Sequence, residues 1–460
     1  FLMLEKRQQP THIAGLQLFD FPQDADDDFV TRFGEKMRHY TTPVAPFDKR
    51  LTYRLGQPYW VKDKQFDLEH HFRHVALPHP GRIRELLALV SAEHSNLLDR
   101  QRPLWESYLI EGLQGRRFAV YTKQHHSLMD GVSAMRLGMS LLSPDQEQRD
   151  MPPVWAYEMP RKNRARPQEQ RITPFAALTQ QFKNAQKQIT GLQDVVRAVA
   201  ETYERSGKDP EYTGIFQAPQ CVLNDRITGS RRFAAQSYSL VRIRRLCKAY
   251  SATVNDIVLA ICGSALRDYL LELRALPEQP LITAVPVSLR QDDSVGGNEI
   301  VTILANLATD VADPARRVEI VKQSVAQAKQ RMANLSQTQI MAYSALAMAP
   351  AALQLMTGIA PKWQAFNVLI SNVPGPQRPM YWNGARLRGM YPVSMPMDRL
   401  ALNITILSYC DHLEFGLTAC RRTMPSMQRM LTHLESAIEK LEIAASLHHA
   451  CNKEESLELI

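Results

Sequence analysis

Phe118-Ala119-Val120-Tyr121-Thr122-Lys123-Gln124-His125-His126-Ser127-Leu128-Met129-Asp130-Gly131 is the stretch on which the reading of this chain turns. The β-branched and aromatic run Phe118–Thr122 predicts a buried strand ending at the two histidines. Val132, Met135, Leu137 and Leu141 follow at helical spacing, so a helix is expected from about Gly131. The turn between them carries chemistry. Adjacent side chains on a strand point to opposite faces, so one imidazole can face a cleft while the other packs inward. A neutral imidazole, with an unperturbed pKa of about 6.5, suits taking a proton from an alcohol or amine at neutral pH. Asp130 is expected to orient the loop, and Gly131 to allow a sharp turn and close approach.

Outward from this unit, strands and helices alternate in both halves of the chain. On the N-terminal side, His12–Phe19 reads as a strand and Asp26–Arg38 as an amphipathic helix. A stronger helix is expected over Arg82–Leu98 and a strand over Trp105–Glu111. Residues 144–174 break the pattern with six prolines, and five basic residues against one acid lie between Arg161 and Arg171. This is the best linker candidate, and an amphipathic helix over Phe175–Thr202 follows it. The second half restarts with a strand at Phe233–Leu240, a helix at Val254–Leu273, and strands at Leu281–Leu289 and Ile300–Leu307. Asp313-Pro314 opens a helix to Met332. Strands at Phe366–Ile370, Leu400–Tyr409 and Leu413–Ala419 follow, the last two as a hairpin, and a closing helix runs from Thr423-Met424-Pro425 to Ala445. The fold class expected is mixed α/β, with a unit at 1–145, a basic crossover at 146–225 and a second unit at 226–460.

Composition narrows the function. The 460 residues carry 55 Lys+Arg against 47 Asp+Glu, a net charge of +8 that suits anionic partners without choosing among them. No apolar run is long enough for a transmembrane helix, and no signal segment opens the chain. The six cysteines form no CxxC pair or zinc spacing and read as reduced thiols of a cytoplasmic chain. No nucleic-acid motif accompanies the basic charge, so no nucleic-acid partner is expected. There is no GxSxG elbow, and no cysteine lies near the histidines, which argues for direct transfer by a general base without a covalent intermediate. A metal pair from His126 and Asp130, or a structural histidine beside a capping aspartate, are the blander readings of the same residues. His70-His71 and His448-His449 lack the Asp-Gly and show that paired histidines alone mean little.

His125-His126-Ser127-Leu128-Met129-Asp130-Gly131 resembles the HHxxxDG motif of the chloramphenicol-acetyltransferase-like superfamily of CoA-dependent acyltransferases. Other blocks narrow the resemblance to the bacterial wax ester synthase/diacylglycerol acyltransferases. They are LEKRQQPTHIAGL from Leu4, Leu98-Asp99-Arg100 with Pro103-Leu104-Trp105, NDRITGSRR from Asn224, Asn255-Asp256, PVSLR at 286–290 with Gly297-Asn298, and SNVPGP from Ser371. The resemblance implies two similar α/β subdomains with a tunnel at their interface. It implies that His126 is the general base, in a catalytic set with His125, Asp130 and Gly131. Asp130 would be structural, with Arg290 as its partner, and Asn255, Asp256 and Asn372 would support the active site. Met341, Met348 and Met356 would touch the apolar substrate, unless their stretch is a core helix pair broken at Pro350. Arg231, Arg232, Arg242, Arg244 and Arg245 are candidates for the CoA phosphates.

The implied reaction moves a long-chain acyl group from acyl-CoA to a fatty alcohol or diacylglycerol. Acyl-CoA is then a substrate, and neither cofactor nor metal is expected. Partners would be acyl-CoA, the lipid acceptor, and a membrane or lipid droplet surface touched peripherally, placing the chain in the cytoplasm at the inner membrane or lipid inclusions. The alternative is amide or ester formation on carrier-bound substrates, as in peptide-synthetase condensation domains.

Overall fold

The fold is taken from a computed structural model, which describes residues 1–54, 56–158, 217–288, 300–333, 339, 340, 343 and 364–457. The chain divides into two compact units. One comprises Phe1–Met159, Val222–Asn255 and Val368–Ser446, and the other Pro160–Cys221, Asp256–Asn367 and Leu447–Ile460.

The first unit begins with β1 (His12–Asp20), α1 (Phe29–Arg38), the hairpin β2 (Lys49–Arg54) and β3 (Gln57–Lys62), and β4 (Phe72–Ala76). It continues with α2 (Ile83–Glu93), β5 (Trp105–Leu113), β6 (Arg117–His125) and α3 (Gly131–Ser140), then resumes at β7 (Arg231–Ser239) and α4 (Leu240–Ala249). The second unit holds most of α5 (Val254–Glu272), with β8 (Ile282–Ser288), β9 (Ile300–Asn306) and α6 (Pro314–Ala333). The chain then returns to the first unit through β10 (Val368–Val373), β11 (Tyr381–Trp382), β12 (Ala385–Val393), β13 (Leu402–Tyr409), β14 (His412–Cys420) and most of α7 (Arg429–Leu457).

The strands of the first unit's main sheet run in the order β11–β12–β1–β6–β5–β4, antiparallel except for the parallel pair β4–β5. β6 is central and buried on both faces, and its residues alternate between two cores. Phe118 and Val120 join Phe19, Phe33, Trp105, Leu109 and Trp382 on one face. Ala119 and Tyr121 join Leu16, Leu86, Tyr108 and Ile110 on the other. The same alternation turns Lys123 inward beside Glu106, its partner in register, where the two pair at 3.1 Å. Burying Lys123 alone would be costly, and the ion pair with two further bonds to the Glu93 and Asn96 carbonyls offsets this. A second set of strands in this unit runs β7–β14–β13–β10, with β10 and β13 parallel.

In the second unit, β8 and β9 form an antiparallel pair from Ile282–Asn306 to Ser288–Ile300. α6 packs on β9, and the Asn306 N–H donates to Ser324 Oγ at 2.9 Å. α5 lies against the end of β9 through Gly263, where a Cβ would stand 2.3 Å from the Leu307 oxygen.

The expected mixed α/β class is borne out, as is the β13–β14 hairpin. Two expectations need correction. The strand expected at Phe366–Ile370 is β10, which starts two residues later and ends three later, so Asn372 lies within a strand. The closing helix begins at Arg429 rather than near Thr423. β2, β3, β4, β11 and β12 are strands that the sequence does not predict. The helix expected over Phe175–Thr202 lies outside the described residues.

Candidate active site

β6 ends at the first of the paired histidines. The His125 N–H donates to the Leu104 oxygen at 2.9 Å and the His126 N–H to the Thr11 oxygen at 3.0 Å. Both backbones are therefore held, one by the Pro103-Leu104-Trp105 block and one by the residue preceding β1. That block is itself core. Trp105 is fully buried, donates from its indole to the Phe47 oxygen at 2.9 Å, and stacks on His71 and Trp155.

The two imidazoles diverge as strand alternation requires. His125 is fully buried. Its Nδ1 accepts the Ser127 N–H at 3.1 Å and lies 2.6 Å from Ser127 Oγ. That assigns the ring proton to Nε2, which faces Thr11 Oγ1 at 2.9 Å and Glu5 Oε1 at 3.4 Å. Glu5 is buried in turn, and its second oxygen accepts from Arg100 Nε at 2.9 Å. Burial pushes the Glu5 carboxyl up, but the bonds from His125, Arg100 and Thr11 outweigh it and hold the group below the usual carboxylate range. His125 is thus an anchor with both nitrogens occupied, oriented by a carboxylate.

His126 is half-buried and is not held as His125 is. Phe1 stacks on its ring with centroids 4.0 Å apart, and its buried Nδ1 has no hydrogen-bond partner among the described residues. Burial lowers its pKa from the ordinary imidazole value, while the Asp130 charge pulls the other way. The ring is neutral near pH 7, the form that accepts a proton.

Asp130 is the N-cap of α3. It sits in extended conformation, and its carboxylate accepts the Ser133 N–H at 2.8 Å and the Ser133 hydroxyl at 2.9 Å. Burial raises its pKa, but together these bonds outweigh it and keep it below the ordinary value. Gly131 corrects the expectation of a glycine-dependent turn. Its φ is not positive, and a Cβ there would meet only Ile13 Cδ1 at an ordinary 3.9 Å. The extended Asp130 makes the turn instead.

The remaining expected residues lie on other elements or outside the description. Asn255 is the second residue of α5 and so is not its cap, and its Nδ2 is buried without a partner among the described residues. Asp256 is buried in the same first turn. Asn372 is half-buried on β10, paired in register with Ile406. Arg290, Met341, Met348 and Met356 fall outside the described residues. Of the arginines considered for phosphates, Arg242 is already held by Glu442 at 2.7 Å and by Glu435. Sequence reasoning missed Glu5, Thr11 and Arg100 as the anchor of His125. Two quoted blocks contain them, but nothing local marks their pairing.

Comparison with known proteins identifies the family of the chain. The wax ester synthase/diacylglycerol acyltransferase catalytic domain matches residues 1–258, and the WS/DGAT C-terminal domain matches residues 296–442. An O-acyltransferase WSD of Acinetobacter baylyi is 47% identical over 445 residues, covering 96% of this chain and 95% of that protein. A solved wax ester synthase/diacylglycerol acyltransferase from Marinobacter aquaeolei VT8 is 51% identical, covers 97% of this chain and 98% of its own, and has a TM-score of 0.77. The first condensation domain of the calcium-dependent antibiotic synthetase shares the fold at 15% identity, with a TM-score of 0.57.

Proposed function

Because the chain belongs to the wax ester synthase/diacylglycerol acyltransferase family and is an O-acyltransferase, we propose that it moves a long-chain acyl group from acyl-CoA to a fatty alcohol or diacylglycerol, with His126 as general base. The observation that carries this is the pair of unlike imidazoles. His125 is locked by Glu5, Thr11 and Ser127, while neutral His126 keeps a ring nitrogen without a partner among the described residues. His126 takes the proton of the acceptor hydroxyl as its oxygen attacks the thioester carbonyl. The C–S bond then breaks, and the departing CoA sulfur takes the proton back from the imidazolium. The acyl group passes directly between substrates, so no acyl-enzyme forms and no cofactor or metal takes part. The likeness to condensation domains is one of fold and carries no substrate with it.

An enzyme with apolar substrates must meet a lipid surface. Among the described residues no single helix is long and apolar enough to cross a membrane. The β2–β3 hairpin supplies a peripheral contact instead. Tyr53, Tyr59 and Trp60 are exposed on it at 55%, 50% and 37%, and Lys62 lies beside them, while Lys49 and Arg50 pair with Asp48 and Asp63 at 3.5 and 3.8 Å. Tyr and Trp favour the boundary between water and lipid, and basic side chains favour anionic headgroups.

The test is thiol release from palmitoyl-CoA with hexadecanol or diacylglycerol as acceptor. Release should require the acceptor and fall roughly 10²–10⁴-fold in His126→Ala. Equal release from both proteins would overturn the base assignment, and no transfer to either acceptor would overturn the reaction.

A further inference from the structure

Away from the histidines, the first unit contains an open cavity of about 670 Å³. Arg7, Arg226 and Arg422 line it, and its one acidic side chain is Asp398. Asp398 is already engaged, accepting the Ile227 N–H at 3.0 Å. Neither Arg7 nor Arg422 has a carboxylate partner among the described residues.

The walls are built around a fourth arginine. Arg231 is only 3% exposed, and its guanidinium donates to the Gln8 oxygen at 2.9 Å and to the Thr228 oxygen. Its backbone N–H donates to Ser95 Oγ at 2.8 Å. One side chain therefore ties the N-terminal segment to the loop before β7, and its own N–H adds the turn that follows α2. Gly229 completes the closure, since a Cβ there would stand 2.7 Å from the Arg7 oxygen. The Arg231 cation is buried with no carboxylate beside it among the described residues, an arrangement that ordinarily calls for an anion nearby. Burial without such a partner draws its pKa down to about 10.

The cavity is also tied to the catalytic turn. Arg7 lies two residues after Glu5, whose carboxylate holds His125. Two residues span at most about 7 Å of chain. An anion between Arg7 and Arg422 thus sits on the segment that anchors the site.

We propose that this cavity binds phosphate ester groups, and that the phosphates of acyl-CoA are their source. This rests on the acyl-transfer reading above. Guanidinium forks match phosphate oxygens in pairs, and the binding end of the donor is held while its thioester reaches the histidines.

The experiment measures KM for palmitoyl-CoA and for hexadecanol in the full chain, with Arg7→Ala, Arg422→Ala and Arg7→Lys, each first checked for an unchanged melting temperature. Losing one charge-assisted bond should raise KM for the CoA substrate about tenfold, with a far smaller change in kcat and in KM for the alcohol. Arg7→Lys should recover part of the loss. Adenosine 3′,5′-bisphosphate should bind the wild type by calorimetry, compete with palmitoyl-CoA, and bind the double alanine variant at least tenfold more weakly. Unchanged KM and unchanged bisphosphate binding would overturn the proposal. Unchanged KM with lost binding to phosphatidylglycerol vesicles would overturn the assignment to acyl-CoA in favour of a lipid headgroup. Bisphosphate binding that needs the arginines, in a protein that transfers no acyl group, would uphold the cavity and overturn the reaction.

Discussion

The base role proposed for His126 rests on the contrast with its neighbour. With His125 occupied at both nitrogens and Glu5 behind it, the backbone of the turn is fixed and the second ring is left for chemistry. Burial lowers the pKa of His126, so its neutral form persists to lower pH than that of a free histidine. The acid limb of kcat/KM should therefore have its midpoint below about pH 6.5, and a midpoint above that value would exclude His126 as the titrating base. Asp130 answers to stability rather than to proton transfer. Asp130→Ala should cost about 1 kcal/mol in urea unfolding through the lost cap, while Asp130→Asn should keep most of that. The paired histidines were legible in the sequence because strand, turn and helix signals agree over a dozen residues. The anchor was not, because Thr11 lies 114 positions from His125 and no periodicity links them.

Strands were legible where burial writes itself as alternation or as an apolar run. β6 and the β13–β14 hairpin carry that signal plainly. β12 carries it too, with Leu387 inside and Arg386 and Arg388 outside, but Gly384, Gly389 and Pro392 make its surroundings look like loop. The glycines have work to do that only the tertiary structure shows. At Gly416 on β14 a Cβ would stand 2.0 Å from the Pro392 oxygen of β12, and neither backbone can yield cheaply. Gly416→Ala should lower stability by about 1–3 kcal/mol, read as a drop in the denaturant midpoint. Gly131→Ala, which meets no such obstacle, should fold as well as the wild type.

For the molecule as a whole, charge and exposed aromatics are the features that bear on the proposed lipid contact. On the proposed lipid contact, the net charge of +8 favours anionic surfaces, and the β2–β3 hairpin is where that attraction would act. Binding to vesicles containing phosphatidylglycerol should weaken as ionic strength rises from about 0.1 to 1 M, since the Debye length shrinks from about 10 to 3 Å. Tyr59→Ser with Trp60→Ser should weaken vesicle sedimentation further while leaving thiol release from detergent-dispersed substrates intact. Unaltered sedimentation would place the lipid contact elsewhere on the protein. The composition pointed to anionic partners in general, and only the exposure of three aromatic side chains singles out a hairpin.

The position of β12 also governs how the protein comes into being. β1 pairs with β6 on one side and β12 on the other, joining Ala14 to Val393. A ribosome that has delivered residues 1–258 has made the whole stretch matching the catalytic domain, yet β1 still shows an open row of amides and carbonyls. The nascent chain must shelter that edge until Val393 emerges, and a gene cut between the two matched segments would yield a fragment prone to pair with its own copies.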